Sequence, residues 1–310
     1  MTKIITKFSF ALLLSSLILL NAGCQKKQCK NEMFPVASPI PDHIALDFDL
    51  DTNFYKKCVM AGPVPVVSSE NVNDYALKEA AWLILDMMDY RPEILQEIGD
   101  RKVHLAIMGV NEFTSDIPEH SNFFKPKDKN FWDRRARGLG ATDRSKTFSC
   151  GEENLLCYKG DPYWQENILI HEFAHVIHLM GLNKMDPNFD KRLQDTYEKA
   201  CAAGKWKTFY AGSNSREYWA EAVQSWFNDN RENDHDHNHV NTRAELKEYD
   251  PDIAELVCEV FSDKPRKYKK PADRPESQRL HLVGYQTETA PEFVWPEILV
   301  HAMDNPPENY

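Results

Sequence analysis

The chain has 310 residues, of which 42% are hydrophobic and 11% aromatic, and its formal net charge at pH 7 is -11. This length and composition are typical of a globular protein with one large or two modest domains, and they exclude wholesale disorder. The acidic charge argues against nucleic acid or an anionic membrane surface as the main partner, because both attract basic patches.

The N-terminal segment predicts export. Two lysines precede an apolar run at residues 8–20, and the small residues Ala22 and Gly23 follow it. This is the layout of a secretory signal peptide, here residues 1–23, and the apolar run is too short for a comfortable membrane span.

Cys24 follows directly, and the sequence LNAGC at residues 20–24 resembles a bacterial lipobox. In that pattern the cysteine becomes the lipidated first residue of the mature protein. The pattern usually has leucine where this chain has Asn21, so ordinary signal cleavage is the alternative. We therefore expect a protein anchored by lipid in the bacterial cell envelope, or else a soluble secreted one.

The cysteine count agrees with an oxidising compartment. Seven cysteines are present, and lipidation of Cys24 leaves six, which is enough for three disulfides. Cys150 and Cys157 enclose a short loop and are the expected pair, while the connectivity of the other four is not predicted. The alternative is that most of them are reduced, buried thiols.

The order of the predicted elements indicates an α+β fold. A charged, Pro-containing tether at 24–42 leads into a domain at 43–264, and a Pro-rich extension at 265–310 covers its surface. The N-terminal part of the domain, 43–160, mixes helices and strands, and the part at 161–264 is mainly helical. Apolar spacing predicts helices at 74–89, 93–98, 162–180, 187–202, 215–229 and 251–261 and a buried strand at 103–110.

Within the helix predicted at 162–180 lies HEFAH, with His171 and His175 four residues apart. Asp161-Pro162 is a typical helix start and Gly181 a typical helix end. Both rings project from one face of such a helix and can bind one ion, while Glu172 lies about 100° around the axis, beside that ion. Two imidazoles that bind Zn²⁺ and a neighbouring carboxylate that takes a proton from water are what a zinc hydrolase needs.

His178 lies on the same face but is excluded as the third ligand. Seven residues advance about 10.5 Å along a helix, too far for His171 and His178 to share an ion at bonds of about 2.0 Å. We expect His178 to contact substrate or to pack. The helix is apolar nearly all round and therefore buried, which argues against solvated histidines on a surface helix.

The third ligand is predicted from the helix beginning at Ser215, its expected N-cap. Glu217 and Glu221 are four residues apart among tryptophans and so share a face. One carboxylate can complete a His₂Glu site with an open fourth position, and the other can accept the proton on the far nitrogen of a ligand histidine. The alternative is a solvated pair of glutamates.

These two helices together resemble the gluzincin metallopeptidases, and the segment from Tyr210 through EYWAEA is similar to the anthrax lethal factor-like catalytic domain. The resemblance covers about 60 residues and implies a zincin-like fold. It implies that one Zn²⁺ is bound by His171, His175 and Glu217. It also implies that Glu172 is the general base, that Glu221 contacts a ligand histidine from outside, and that Tyr210 donates to the oxyanion or the leaving group.

Two further segments have alternative interpretations. The loop at 233–243 alternates His, Asp and Asn and is the best second metal candidate. A hydrated polar loop between helices is the favoured alternative, because these residues are too close in sequence to chelate one ion without a special turn. The sequence RGLGAT at 137–142 is either an edge strand that pairs with an extended peptide or a glycine turn.

The sequence therefore predicts a secreted or lipid-anchored zinc peptidase that hydrolyses peptide or protein substrates by metal-activated water. We expect an endopeptidase, although the motif itself does not separate internal from terminal cleavage. We expect no nucleic acid partner and membrane contact only through the lipid. The alternatives are a zinc-binding surface lipoprotein without catalysis, which has no use for Glu172, and a zinc amidohydrolase acting on a non-protein amide.

Overall fold

A five-stranded mixed sheet with strand order β1-β2-β3-β5-β4 lies at the centre of the protein. The structure is a computed structural model that describes residues 33–304 and 306–307. Strands β2, β3 and β5 are parallel neighbours, while β1 and β4 pair antiparallel at the two ends. The strands are β1 (Lys57–Ala61), β2 (Val64–Ser68), β3 (His104–Met108), β4 (Gly138–Leu139) and β5 (Thr147–Gly151).

Twelve α-helices surround the sheet in the described residues, so the protein is α+β, as predicted. Parallel strands require long crossovers, and helices fill the connections from β2 to β3 and from β3 to β5. The helices are α1 (Asp42–Asp47), α2 (Asp74–Met87), α3 (Pro92–Asp100), α4 (Lys129–Arg135), α5 (Glu152–Leu155), α6 (Ile168–Val176), α7 (Asn183–Met185), α8 (Phe189–Ala202), α9 (Ser215–Trp226), α10 (Arg243–Tyr249), α11 (Pro251–Phe261) and α12 (Glu297–Val300).

The larger of two hydrophobic clusters includes residues from α2, α3, α6, α9 and the sheet. Every residue of β2, β3 and β5 is buried, as expected for parallel strands covered on both faces. Phe148 of β5 stacks on Phe173 of α6 with ring centroids 5.6 Å apart. This contact fixes the helix that carries the HEFAH sequence directly on the sheet.

The start of that helix differs from the prediction. Helix α6 begins at Ile168, and Asn167 caps it by accepting from the Ile170 N–H. Asp161 instead accepts from the Tyr163 N–H in a turn. Its side chain satisfies the nearby backbone before a helix starts, which is the other common use of aspartate.

Gly181 does not end the helix either. A π-helical turn, Ile177–Leu182, continues the chain into α7. A Cβ at residue 181 would lie 2.6 Å from the Ile94 Cγ2 atom, so glycine here allows the close approach of α3.

Both ends of the described chain are fixed to the domain. The expected tether is folded from Met33 onward, because Phe34 and Ile40 are buried in the two hydrophobic clusters. In the C-terminal extension, Arg274 donates to the buried Glu79 of α2 at 3.0 Å. The signal peptide and Cys24 lie outside the described residues, within which no helix is long and apolar enough to cross a membrane.

The expected disulfide between Cys150 and Cys157 is not formed. All five cysteines within 33–304 are free thiols. Cys150 is fully buried in the core on β5, whereas the Cys157 thiol, beyond helix α5, lies 3.8 Å from the Asn154 carbonyl. Hydrophobic packing, rather than a covalent link, holds this strand-to-helix connection.

A buried ion pair fixes the edge strand β4. The Arg137 Nε and Nη2 atoms donate to the two carboxylate oxygens of Glu153 at 2.7 and 2.9 Å, and both side chains are fully buried. The guanidinium also lies over the Phe113 and Phe293 rings at 5.4 and 5.0 Å. Since Arg137 directly precedes β4, this pair ties the strand to helix α5, which follows β5.

We predict that Arg137→Met lowers the free energy of unfolding by about 3–5 kcal/mol, because it leaves the Glu153 charge buried without a partner. Denaturant unfolding measures the change. The matched control is Arg101→Met, which removes a partly exposed ion pair with Glu97 and should cost below about 1 kcal/mol. Equal losses in the two variants would contradict the prediction.

Candidate metal centre

Helices α6 and α9 pack against each other, and each contributes polar side chains to their interface. The Trp219 indole of α9 donates to the Ala174 carbonyl of α6 at 2.9 Å within the buried interface. Asn214, rather than the expected Ser215, caps α9 by accepting from the Arg216 and Glu217 N–H groups. These contacts fix how the two helices lie against each other, and thereby the position of Glu217 relative to the histidines of α6.

Three donor atoms from these helices converge. The Nε2 atoms of His171 and His175 are 3.1 Å apart, and the Glu217 Oε2 atom lies 3.2 Å and 3.3 Å from them. Ligands held tetrahedrally at about 2.0–2.1 Å from one ion are about 3.3 Å apart. Two imidazole nitrogens and one carboxylate oxygen at this spacing are a donor set that fits zinc, with a fourth position left for water.

The charges of this group affect one another. Burial raises the pKa of Glu217, but hydrogen bonds from both imidazoles outweigh burial and hold the pKa well below its usual range. Burial raises the pKa of Glu172 above its ordinary value, and His171 and His175 oppose that rise. A carboxylate with a raised pKa accepts a proton more readily, which suits a general base.

Glu172 lies under the edge strand because the neighbouring residues of that strand are glycines. A Cβ at Gly138 would lie 2.5 Å from the Ile168 Cγ2 atom and 3.0 Å from the Glu172 Cγ atom. A Cβ at Gly140 would lie 3.0 Å from the Cβ atom of His175. RGLGAT thus contains a short edge strand, Gly138–Leu139, and the glycines at 138 and 140 allow it to approach helix α6 closely.

The far nitrogen of His171 has a nearer partner than the predicted Glu221. Its Nδ1 atom is 2.7 Å from the Gln224 Oε1 atom and 3.5 Å from the Glu221 Oε1 atom. The other oxygen of Glu221 lies 3.2 Å from the His237 Nε2 atom and accepts from Asn230 at 3.0 Å. Residues 221 and 224 are one turn apart on α9, so both reach the histidine, but the amide makes the shorter contact.

Tyr210 lies beside the donor group in a short 3₁₀ turn, Tyr210–Gly212. Its ring stacks on the His171 ring with centroids 6.2 Å apart. Burial and the Glu217 charge raise the pKa of the phenol, against a hydrogen bond with Arg135. The hydroxyl is therefore protonated at neutral pH and can donate a hydrogen bond.

A cleft of about 510 Å³ opens beside His171, Glu172 and Tyr210. Arg134, Arg135 and Arg231 contribute to its walls, so cations lie close to the acidic site. Met303 of the C-terminal extension also borders it. The cleft gives an outside molecule access to Glu172.

His178 is a packing residue. It is fully buried, its Nε2 atom is 3.0 Å from the Asp190 Oδ1 atom, and Phe189 and Trp219 contact its ring. Burial lowers the pKa of His178 to about 4, although Asp190 opposes the change. The structure brings it to α8 and not to the donor group, in agreement with the helix-rise argument.

The loop at 233–243 does not bring ligands together. Across the part of the chain that the structure describes, His171, His175 and Glu217 are the one group of three placed to bind an ion. Asp234 instead accepts from the Asp236 and His237 N–H groups at 2.8 and 2.9 Å. The polar residues of this loop organise its own backbone and hold His237 against Glu221.

Sequence reasoning missed Gln224, Glu166 and Arg231, which lie behind the donor group. The Gln224 Nε2 atom donates to the Glu166 Oε2 atom at 2.8 Å, and Arg231 pairs with the same carboxylate at 3.0 Å. The available signal was the spacing of seven residues from Glu217 to Gln224, two turns along one face of α9.

No protein-family model matches this chain, and no curated protein matches it. One solved structure is similar, the PRO-PRO endopeptidase (PPEP-2) from Paenibacillus alvei, at 17% sequence identity and a TM-score of 0.44. The match covers 63% of this chain and 97% of that chain. Similarity at this level assigns no function to this chain.

We predict that burial of His178 costs stability in acid. The unfolded chain binds a proton at this residue below about pH 6.5, whereas the folded protein excludes the proton until about pH 4. The free energy of unfolding should therefore fall by up to about 3 kcal/mol as pH drops through this window.

Denaturant unfolding of the metal-free protein between pH 4 and 7 measures this loss. His178→Gln keeps a group able to donate to Asp190 but does not titrate, so its stability should depend less on pH. The exposed His43→Gln is the control and should match the wild type. A pH dependence unchanged in His178→Gln would show that other groups cause the loss.

Proposed function

We propose that this chain is a zinc-dependent peptidase of the gluzincin type. The observation that carries the proposal is the convergence of His171, His175 and Glu217 beside Glu172 at the wall of an open cleft. The first three residues would hold the ion. A site that only stores metal has no use for Glu172, whereas water activation requires such a base.

The chemistry that zinc supplies at such a site is Lewis acidity, which lowers the pKa of water toward about 7 and polarises a carbonyl. Glu172 accepts a proton from the attacking water and delivers it to the leaving amine. Its raised pKa favours the first of these transfers. The Tyr210 hydroxyl donates a hydrogen bond to the oxygen on which negative charge develops.

The edge strand suggests how a peptide is bound. Strand β4 pairs with β5 on one side, Gly138 within it lies against Glu172, and Gly140 just after it lies against His175. An extended peptide that pairs with the outer side of Gly138–Leu139 would place a carbonyl near Glu172. Such backbone pairing would favour an extended protein or peptide substrate over a small amide.

Export and lipid attachment at Cys24 are part of the same proposal. They rest on the signal-peptide pattern and the lipobox-like sequence LNAGC. An exported peptidase would meet its substrates outside the cytoplasm, either at the cell envelope or in solution.

We predict that Glu172→Gln keeps its zinc and loses peptide cleavage, with kcat reduced by at least about 10²–10⁴-fold. The amide has nearly the same shape as the carboxylate but accepts no proton. Metal analysis and cleavage of a proteome-derived peptide library, run beside the wild type, measure the two effects. Zinc-free wild type, or cleavage unaffected by the substitution, would overturn the proposed function.

We predict that Tyr210→Phe lowers kcat by roughly 10²-fold with little change in zinc content, since it removes one donor to the oxyanion. The control is Tyr75→Phe, which also removes a tyrosine hydroxyl hydrogen bond, here to the Val283 carbonyl at 3.1 Å. Tyr75 does not border the cleft, so its variant should retain kcat. Equal kcat in Tyr210→Phe and the wild type would remove Tyr210 from the mechanism.

A further inference from the structure

We propose that Gln224 positions His171 for metal binding, and that the Glu166 carboxylate, paired with Arg231, sets the direction of the Gln224 amide. This inference rests on the metal site proposed above. It assigns a function to three residues of this chain that do not bind the ion. Each would be a positioning residue that acts through His171.

A series of polar contacts connects Arg231 and Glu166, through Gln224, to the imidazole of His171. Gln224 is fully buried, and its Oε1 atom is 2.7 Å from the His171 Nδ1 atom. Its Nε2 atom donates to the Glu166 Oε2 atom at 2.8 Å. The other oxygen of Glu166 is 3.0 Å from the Arg231 Nε atom.

The negative charge of Glu166 decides which group donates in each of these hydrogen bonds. An ionised carboxylate has no proton to donate, so the Gln224 group that faces Glu166 must be the NH₂. The amide oxygen then faces His171 and can only accept, which requires a proton on Nδ1. With the proton there, the Nε2 lone pair is free to bind a metal.

Arg231 is needed because Glu166 is buried. Burial raises the pKa of Glu166, and the Arg231 charge opposes that rise. A protonated Glu166 could donate to a reversed amide, whose NH₂ would then face His171. That arrangement favours a proton on Nε2, which blocks the metal-binding position.

Glu221 is less suited to this function, although it lies on the same face of α9. Its nearer oxygen is 3.5 Å from the His171 Nδ1 atom. Its other oxygen already pairs with His237 at 3.2 Å and accepts from Asn230 at 3.0 Å. We therefore assign Glu221 mainly to holding the loop that contains His237.

Zinc affinity, measured by competition with a chromogenic chelator, tests the inference without reference to activity. We expect Gln224→Met to bind zinc about 10–100-fold more weakly than the wild type, and Glu166→Gln about 10-fold more weakly. The visible spectrum of the cobalt-substituted protein should change in both variants. The exposed Glu232→Gln also removes one negative charge and should match the wild type.

The double variant Glu166→Gln with Gln224→Glu is the decisive rescue. The carboxylate at position 224 again accepts from His171, and the new amide at 166 can donate to it, so most of the affinity should return. A general loss of packing would not be reversed by this exchange. Unfolding of each metal-free variant shows whether it folds, and Glu166→Gln, a nearly isosteric change, carries the test if Gln224→Met does not fold.

Two results would overturn the inference while leaving the metal site intact. One is wild-type zinc affinity in both folded single variants, and the other is a folded double variant that recovers nothing. Failure of the wild type to bind zinc would instead overturn the proposed function itself.

Discussion

The site depends on one constraint, which is that the interface between α6 and α9 buries polar side chains inside an otherwise apolar core. His171, Glu221 and Gln224 are each at most 9% exposed, among Phe173 and Trp219. A buried polar group without a partner costs several kcal/mol, so the interface between α6 and α9 is stable only if its polar atoms form hydrogen bonds or ion pairs. Gln224 pairs with Glu166, and Glu221 pairs with His237 and Asn230. The Nε2 atoms of His171 and His175 and the Glu217 carboxylate point toward one another.

The sheet positions both helix α6 and the edge strand β4 at the site. Strand β5 holds α6 through Phe148 and holds β4 through backbone pairing, so the helix and the edge strand share one support. Arg137 and Glu153 fix that edge by a buried pair, and Gly138 lets it lie close to α6. The distance from the edge strand to Glu172 therefore depends on the core rather than on a flexible loop.

The features of the site and fold that could be predicted from the sequence are those that depend on local helix geometry. The spacing of His171 and His175, and the exclusion of His178, follow from helix pitch and rise alone, so the sequence is sufficient for them. Strands β2 and β5 were missed because they pair with β3, which is distant in sequence, and because burial on both faces hides any alternation. Strand β1 was missed with β2, its hairpin partner. The capping signals at Asp161 and Gly181 were misleading, since aspartate also stabilises turns and glycine also permits close packing. The spacing from Glu217 places Gln224 on the same face of α9, but its partner His171 is decided by how two helices cross, which the sequence does not show.

The His/Asp loop shows how composition and structure can differ. Its alternation suggests a metal ligand set, yet the Asp234 side chain is used by the loop's own backbone and His237 is bound to Glu221. The same loop accepts a backbone hydrogen bond from the Tyr210 N–H at the Asp236 carbonyl, 2.8 Å away. Arg231, two residues before the loop, pairs with both Glu166 and Asp234. The segment from Arg231 through this loop therefore contacts the Tyr210 backbone, Glu221 and the Glu166 carboxylate behind Gln224, so its displacement would move the surroundings of His171 and Tyr210 together.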